Sequence, residues 1–159
     1  MKLTIIAIDP GAHGALCFIP PRTGRPILYR TAECPPLEAL VDALASAEGE
    51  PSACVAYVEK IGGFIAGKSL PGSAMFKMGH SAGYWEGLLT ALRIRTILVR
   101  PQDWQAGITG VSGKKGPERK RALRAEAIRR YPDLKPTLDT SDALLIADYG
   151  LHAEKGARA

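Results

Sequence analysis

Acidic residues follow two apolar segments of the sequence and open a third segment. Asp9 and Glu59 each come directly after an apolar run, and Asp139 and Asp142 are three residues apart at the start of a helical pattern. That spacing places two side chains on one helix face. Carboxylates gathered at one point raise one another's pKa values, and a bound cation removes the conflict. Oxygen ligands without Cys or His suit Mg²⁺ or Mn²⁺, and two such ions about 4 Å apart can promote phosphodiester hydrolysis.

Each of these carboxylates also has a plainer interpretation. Asp9 precedes Pro-Gly, as in a tight turn, and Glu59 would serve as a surface charge at the end of a strand. Asp139 and Asp142 fit an N-cap and an acidic third residue, which stabilise a helix start without a metal. None of these interpretations requires all four residues to lie at the ends of elements that the fold brings together. The set as a whole therefore favours a metal site.

Hydrophobic periodicity predicts the elements that would position these residues. The predicted strands are 3–8, 14–19, 27–31, 53–58 and 96–99, and the predicted helices are 37–47, 73–92, 117–131 and 139–152. Hairpins followed by helix-linked strands predict a mixed sheet with helices on its faces. The helix between the first and fourth strands makes a right-handed crossover, which places those two strands side by side and parallel. Asp9 and Glu59 would then meet at one edge of the sheet.

Length and composition narrow the class of protein. The chain of 159 residues is expected to form one domain, spanning 1–159. No apolar run approaches the roughly 20 residues of a membrane span, and the first residues have the pattern of a strand, not of a signal peptide. The three cysteines form no CxxC pair and are odd in number. This pattern argues against a scaffold held by disulfide bonds. It favours a protein of a reducing compartment, either the cytoplasm or an organelle.

The positive charge is concentrated in one segment. Between positions 114 and 130, eight Lys or Arg residues accompany two Glu residues, although the whole chain carries a formal charge of only +5. A localised basic stripe is typical of a protein that binds a polyanion, although a solvated helix face gives the same pattern. The segment therefore indicates a nucleic-acid partner without requiring one.

The motifs around the four carboxylates resemble those of RuvC-type Holliday junction resolvases, particularly their phage, bacterial and chloroplast members. The similar segments are IAIDPG at 6–11, VEK at 58–60, MFKMGHSAG at 75–83 and DTSDALLIA at 139–147. They occur in the order and spacing of that family along nearly the whole chain. The resemblance implies an α/β, RNase H-like fold, with a five-stranded mixed sheet in the order 3-2-1-4-5 and helices on both faces.

The resemblance also implies a site and a reaction. Asp9, Glu59, Asp139 and Asp142 would be the catalytic residues, and they would hold two Mg²⁺ ions, for which Mn²⁺ would substitute. The protein would hydrolyse strands of a four-way DNA junction and leave 5′-phosphate and 3′-hydroxyl ends. No nucleotide cofactor and no membrane partner are implied.

The same resemblance predicts the partners. A homodimer would form through the helix at 73–92, where Gly79 and Gly83 would allow close approach of a second helix. Branched DNA would be held by basic side chains before and along the third helix. The predicted DNA contacts are Lys60, Phe64, Lys68, Lys114, Lys115, Arg119, Lys120, Arg121 and Arg124. Phe64 lies farther from Glu59 than the wedge aromatic of the family does, so it is either a base-stacking side chain or a loop anchor.

Other functions stay open. Residues 62–69, GGFIAGKS, match the P-loop pattern of nucleotide-binding proteins. A P-loop runs straight into a helix, whereas Pro71 and Gly72 follow here at once, so ATP binding is disfavoured. A nuclease of the same fold acting on RNA or on other branched DNA, or a junction-binding protein without catalysis, would share most of these features. The three histidines do not cluster, which argues against zinc. Trp85 and Trp104 are predicted to be core or interface anchors.

Overall fold

Five strands form the single sheet of the described chain. The structure is a computed structural model, and it describes residues 3–11, 13–62 and 71–157. The strands are β1 (Thr4–Asp9), β2 (Ala15–Ile19), β3 (Ile27–Arg30), β4 (Cys54–Glu59) and β5 (Arg95–Val99). Their order is β3-β2-β1-β4-β5. β2 pairs antiparallel with β1 and β3, whereas β4 pairs parallel with β1 and β5. The predicted strand order and the parallel pairing of the first and fourth strands are confirmed.

β1 and β4 run side by side through the centre of the sheet. Their register pairs Ile8 with Val58, so the next residue of each strand, Asp9 and Glu59, lies at the same sheet edge. The residues of both strands before these two carboxylates are buried, as expected for central strands covered on both faces. The apolar runs therefore form a core and also fix the positions of the two carboxylates at the edge of the sheet.

Helices cover both faces of the sheet. They are α1 (Pro36–Ser46), α2 (Gly72–Ala91), α3 (Pro101–Gln105), α4 (Gly116–Arg130) and α5 (Ser141–Gly156), with 3₁₀ turns at Pro51–Ala53 and Pro132–Leu134. On one face Ile5 packs with Leu123 of α4 and Leu144 of α5. On the other face Ile6 packs in a core that contains Trp85 of α2. Alternate residues of β1 thus enter two separate cores, as the period of a strand requires.

The start of α5 differs from the sequence prediction. The helix begins at Ser141, two residues later than predicted, with Thr140 as its N-cap. Thr137 and Thr140 exchange hydrogen bonds of 2.9 and 3.3 Å between backbone N–H and hydroxyl groups, which closes a turn ahead of the helix. Asp139 therefore lies outside the helix. The predicted N-cap role of Asp139 is wrong, and so is the predicted helix face shared with Asp142.

Two other boundaries also differ. Residues 101–105, where the sequence predicted no element, form the short helix α3, because proline fits the first turn of a helix, where its missing N–H is not needed. At the other end, α5 continues to Gly156, beyond its predicted end at 152.

Burial confirms the prediction for the two tryptophan residues. Trp85 and Trp104 are 1% and 2% exposed, as expected for core anchors. Cys17 and Cys54 are buried thiols, and Cys34 is half-buried. Among the described helices, none is long and apolar enough to cross a membrane.

α5 packs close to the sheet at Gly150. A Cβ atom placed on Gly150 would lie 2.7 Å from Cδ2 of Tyr57 and 3.1 Å from Cγ2 of Ile5. Tyr57 cannot swing away freely, because its ring is buried and its hydroxyl donates a hydrogen bond of 2.9 Å to Glu154. The absence of a side chain at position 150 therefore sets the distance between α5 and β4.

We expect Gly150→Ala to lower the free energy of unfolding by about 1–3 kcal/mol, because the added methyl group overpacks this contact. Gly156→Ala in the same helix is the matched control, since nothing lies within 4 Å of a Cβ placed there. That control should be neutral or slightly stabilising, as alanine favours helix. Urea denaturation of both variants measures the difference. Equal stability of the two variants would contradict the close packing.

Candidate active site

Three carboxylates from distant parts of the chain meet at the edge of the sheet. Asp9 ends β1, Glu59 ends β4, and Asp142 lies in the first turn of α5. One carboxylate oxygen from each residue lies within 4.8 Å of those from the other two. Asp142 is only 4% exposed. The predicted convergence of the two strand ends with the last helix is confirmed for these three residues, which we call the acidic cluster.

The fourth predicted carboxylate, Asp139, is not part of the acidic cluster in the described chain. Its Oδ2 atom accepts a hydrogen bond of 3.1 Å from Nη2 of Arg30, an ion pair that links β3 to the turn before α5. The Asp139 side chain is 29% exposed. Since Arg30 already compensates its charge, Asp139 differs from the clustered carboxylates, and its role as a metal ligand stays a prediction.

Lys120 of α4 reaches into the acidic cluster. Its ammonium group donates a hydrogen bond of 2.5 Å to Oδ2 of Asp142. Burial opposes the charged form of Lys120, but the negative charges of Asp142, Asp9 and Glu59 outweigh that effect and raise the pKa of the lysine. Lys120 therefore brings a positive charge into a group of acidic side chains.

This inward position of Lys120 went unnoticed in the sequence, where the residue was predicted only as a DNA contact. A signal was present in the spacing. Leu123 and Ala127 are fully buried on α4, and Lys120 lies three and seven positions before them, on the same helix face. A lysine at the end of a buried stripe extends its charged head beyond the core, toward whatever lies next to it.

Burial governs the protonation of the acidic cluster. It raises the pKa of Asp9 well above the usual value, and the negative charges of Glu59 and Asp142 raise it further. Burial also raises the pKa of Glu59. Lys120 opposes both shifts by attraction, without cancelling them. In the absence of a metal ion, the cluster therefore stores electrostatic repulsion that a bound cation would relieve.

The donor atoms of the acidic cluster fit a divalent cation. Oδ1 of Asp142 is buried and has no hydrogen-bond partner among the described residues, which costs free energy unless a ligand occupies that position. The three clustered residues offer only carboxylate oxygens, the donors that Mg²⁺ and Mn²⁺ prefer. Asp9, Glu59 and Asp142 are thus the residues that would hold such an ion.

Removing the charge of Asp9 should stabilise the metal-free protein. A carboxyl group with a raised pKa binds its proton more tightly in the folded state, so stability falls as the pH rises from the unfolded-state pKa of 3.8 through the folded-state pKa. At pH 7.5 in EDTA we expect Asp9→Asn to melt a few degrees above the wild type, at about 2–4 °C per kcal/mol. Below pH 3.8 this advantage should disappear.

Mg²⁺ should reverse the order of the two melting temperatures. The ion stabilises the folded wild type by binding to it, whereas Asp9→Asn has lost one of the metal ligands. Differential scanning fluorimetry across pH, with EDTA or Mg²⁺, measures both effects. Two results would contradict electrostatic repulsion within the acidic cluster. One is a variant that melts below the wild type in EDTA, and the other is a variant whose melting temperature rises as much with Mg²⁺ as that of the wild type.

A groove opens beside the acidic cluster, with a volume of about 530 Å³. Asp9 and Glu59 line it together with three cationic side chains, Lys60, Arg100 and Arg119. The Nε atom of Arg119 is buried and lacks a hydrogen-bond partner within the described chain. Lys60 and Arg119 were predicted DNA contacts, and both lie on this groove. Cations around a metal-binding cluster lower the cost of bringing a phosphate close to carboxylates.

The sequence prediction missed three other residues of the groove, Met78, Arg100 and Gln102. Arg100 follows β5 and donates hydrogen bonds of 2.9 and 2.8 Å to the two carboxylate oxygens of Asp103. Its position was accessible from the sequence, because Arg100 follows β5 as Lys60 follows β4, and neighbouring parallel strands end at one edge. Met78 and Gln102 carried no comparable signal.

The other predicted DNA contacts of the basic segment lie before and along α4. Lys115 is the N-cap of α4, and Lys114 precedes it. Arg121 and Arg124 are exposed, and Nε of Arg124 donates a hydrogen bond of 3.0 Å to the carbonyl oxygen of Pro136. These side chains stay predictions as DNA contacts.

Two basic residues at the end of α4 are engaged within the protein. Arg129 and Arg130 both bind the carboxylate of Glu126, at 2.7 Å, and Arg130 also binds Asp148 at 2.5 Å. Tyr131 donates a hydrogen bond of 2.7 Å to the same Asp148. The two contacts with Asp148 attach the end of α4 to α5, so the end of the basic segment is structural.

Part of the predicted DNA-binding set lies outside the described residues. Phe64 and Lys68 are the two predicted DNA contacts outside those residues. The P-loop pattern at 62–69 also lies outside them, except for Gly62. The next described helix, α2, begins at Gly72, after that pattern has ended.

No family model and no curated protein matches the sequence. The structure is similar to T. thermophilus RuvC in complex with a Holliday junction substrate, with a TM-score of 0.59 at 15% identity, over 98% of this chain and 97% of that chain. A second Thermus thermophilus RuvC structure gives a TM-score of 0.53 at 15% identity, over 97% of each chain. The chain has the RuvC fold.

The likeness to RuvC spans nearly the full length of both chains. It confirms the fold that the motif resemblance implied, an RNase H-like mixed sheet with helices on both faces. On the RuvC fold of this chain, the acidic cluster lies where β1 and β4 end, and α5 closes it from one side.

Proposed function

We propose that this protein is a metal-dependent endodeoxyribonuclease that resolves four-way DNA junctions. The observation that carries the proposal is the acidic cluster of Asp9, Glu59 and Asp142 beside a groove with cationic walls, on a chain with the RuvC fold. The comparison structure is RuvC bound to a Holliday junction substrate, and its substrate is the one proposed for this chain. Such an enzyme would act in a bacterial or phage-infected cytoplasm, or in an organelle.

The acidic cluster would hold one or two Mg²⁺ ions, with Asp139 as a further ligand of the set. When bound, the metal supplies an activated water and stabilises the departing 3′ oxygen of the phosphodiester. The residues of the protein would hold the metal ions and orient them. Asp9 and Glu59 are fixed by the two central strands, and Asp142 by the first turn of α5, so the ligands are rigid before metal arrives. Hydrolysis in this geometry would leave 5′-phosphate and 3′-hydroxyl ends.

The groove and the first half of α4 would hold the DNA backbone. Lys60, Arg100 and Arg119 line the groove, and Lys114 and Lys115 lie just before α4. Contacts of this kind supply affinity and orientation, whereas they carry no sequence preference.

We expect the double variant Lys114→Gln with Lys115→Gln to bind a four-way junction roughly 10-fold more weakly at moderate salt. The slope of log affinity against log salt should fall by about 2, one for each lost phosphate contact. The control is the double variant Arg129→Gln with Lys155→Gln, which removes two positive charges elsewhere. Arg129 is already paired with Glu126, and Lys155 lies in the last turn of α5. Electrophoretic mobility shifts at several salt concentrations measure the slope. An equal loss in both double variants would show a general charge effect.

A homodimer through α2 would present two sites to one junction. The outward face of α2 carries Gly79, Gly83 and Gly87, with nothing within 4 Å of a Cβ placed at any of them. Phe76 and Tyr84 on the same helix are 72% and 47% exposed. Large apolar side chains beside small residues are suited to close helix packing, as the prediction for Gly79 and Gly83 requires.

One experiment tests the proposed function directly. The purified protein is incubated with a synthetic four-way junction, a flap, a linear duplex and an RNA–DNA hybrid, each with Mg²⁺, with Mn²⁺ or with EDTA. Paired, Mg²⁺-dependent cuts confined to the junction would support the proposal. Cleavage of the hybrid or the flap instead would identify a nuclease of another substrate class. Junction binding without any cleavage in Mg²⁺ or Mn²⁺ would identify a binding protein.

A further inference from the structure

Trp104 lies in α3, the helix that follows β5 at the edge of the sheet where the acidic cluster lies. The last residue of β5, Val99, pairs with Glu59, and its carbonyl oxygen accepts a hydrogen bond of 2.7 Å from the N–H of Lys60. α3 therefore starts beside the end of β4. Trp104 is 2% exposed and belongs to the core between the sheet, α4 and α5. Its burial alone would make it an ordinary core residue, as the sequence predicted.

The indole N–H of Trp104 points to a second role. Nε1 is buried and has no hydrogen-bond partner among the described residues. Buried indole N–H groups normally have a partner. Glu59 follows Val55 and Tyr57 at every second position of β4, so its side chain lies on the face of the sheet whose core contains Trp104. Burial raises the pKa of Glu59, and the indole of Trp104 opposes that shift. These observations make the Glu59 carboxylate the candidate acceptor for this N–H.

We propose that Trp104 is a positioning residue that donates its indole N–H to the Glu59 carboxylate and so orients Glu59 toward the cation. This role rests on the proposed metal-dependent function of the acidic cluster. A carboxylate ligand has two oxygens, and a fixed donor on one of them orients the other. The bidentate pair of Arg100 with Asp103 spans the first turn of α3 and holds the helix that carries Trp104.

Replacing Trp104 by Phe removes the N–H and keeps an aromatic ring in the core. The matched control is Trp85→Phe, because Trp85 is equally buried but packs in the core on the opposite face of the sheet. Both variants lose the same ring volume, so a loss through packing should be similar in the two. The probe is Mn²⁺ alone, titrated into each DNA-free protein and followed by electron paramagnetic resonance.

Trp104→Phe should bind Mn²⁺ about 10-fold more weakly than the wild type, which is the usual effect of removing a hydrogen bond to a metal ligand. Trp85→Phe should stay within about twofold, and both variants should melt at similar temperatures in EDTA. Unchanged Mn²⁺ affinity in Trp104→Phe, or an equal loss in Trp85→Phe, would overturn the positioning role. This titration needs no cleavage, so a failed nuclease assay and a failed Trp104 assignment are separate results.

A second measurement uses the wild-type ring and therefore does not depend on a folded Trp104 variant. The two tryptophan side chains give two indole N–H signals in a ¹⁵N-labelled sample, and Glu59→Ala removes the proposed acceptor. The Trp104 signal should move in Glu59→Ala and on addition of Mg²⁺ to the wild type, while the Trp85 signal stays in place. A Trp104 signal that is indifferent to both changes would overturn the hydrogen bond to Glu59.

Discussion

Asp9→Asn should abolish cleavage of a four-way junction, with the rate falling by at least about 1,000-fold. Burial and the negative charges of Glu59 and Asp142 raise the pKa of Asp9 well above its usual value. An amide in its place keeps the shape of the side chain but removes a ligand charge from the site. Single-turnover cleavage with saturating protein isolates this chemical step from binding.

Junction binding by Asp9→Asn should be unchanged or stronger, because one negative charge next to the DNA groove is gone. Asp133→Asn is the control, since Asp133 is exposed and outside the acidic cluster, and it should cut at the wild-type rate. Cleavage retained in Asp9→Asn would refute the assignment of the acidic cluster as the catalytic centre. Loss of both binding and cleavage would point to damage beyond the ligand itself.

Gly83→Arg should convert the protein to a monomer and weaken junction binding by about 100-fold, because one bivalent contact becomes two independent weak ones. Gly83 is exposed on α2, and a Cβ placed there meets nothing within 4 Å, so the isolated protomer tolerates a side chain. Only a second copy packed on α2 would collide with it. Leu98 of the edge strand β5 lies on the α2 side of the sheet and is 46% exposed, which extends the apolar surface that a second copy would cover.

Light scattering gives the oligomeric state of this variant, and mobility shifts give its affinity. Gly156→Arg adds the same charge at the end of α5, also with nothing within 4 Å, and should remain dimeric. A dimeric Gly83→Arg protein would show that α2 is not the interface. Single cuts in place of paired cuts are the expected change in the cleavage products of the monomer.

Asp9 and Glu59 were predictable because their positions follow from short-range rules. Each ends an apolar strand, and the right-handed crossover makes those strands parallel neighbours. Asp142 was predictable for a similar reason, since it opens a helix that the motif at 139–147 identifies. The site of Asp139 was not predictable, because a shift of two residues in the helix start removes it from the helix, and such boundaries are the weakest part of any sequence prediction.

The number of charged residues could be read from the sequence, whereas the residues with which they form ion pairs could not. Within the basic segment, Lys120 binds Asp142 and Arg130 binds Asp148. These pairings depend on how α4 lies across α5, a tertiary property that periodicity along one helix does not contain. Trp104 shows the same limit, because its burial was predictable but the proposed contact of its N–H with Glu59 depends on how the turn after β5 folds back toward β4.

The acidic cluster takes its members from positions 9, 59 and 142, and this has a consequence during synthesis on the ribosome. Asp142 belongs to a helix that ends at Gly156 and packs against the first strand. The acidic cluster is therefore incomplete on the ribosome until the residues through Gly156 have left the exit tunnel. Fragments truncated before that helix would lack Asp142 and, with it, the proposed metal site.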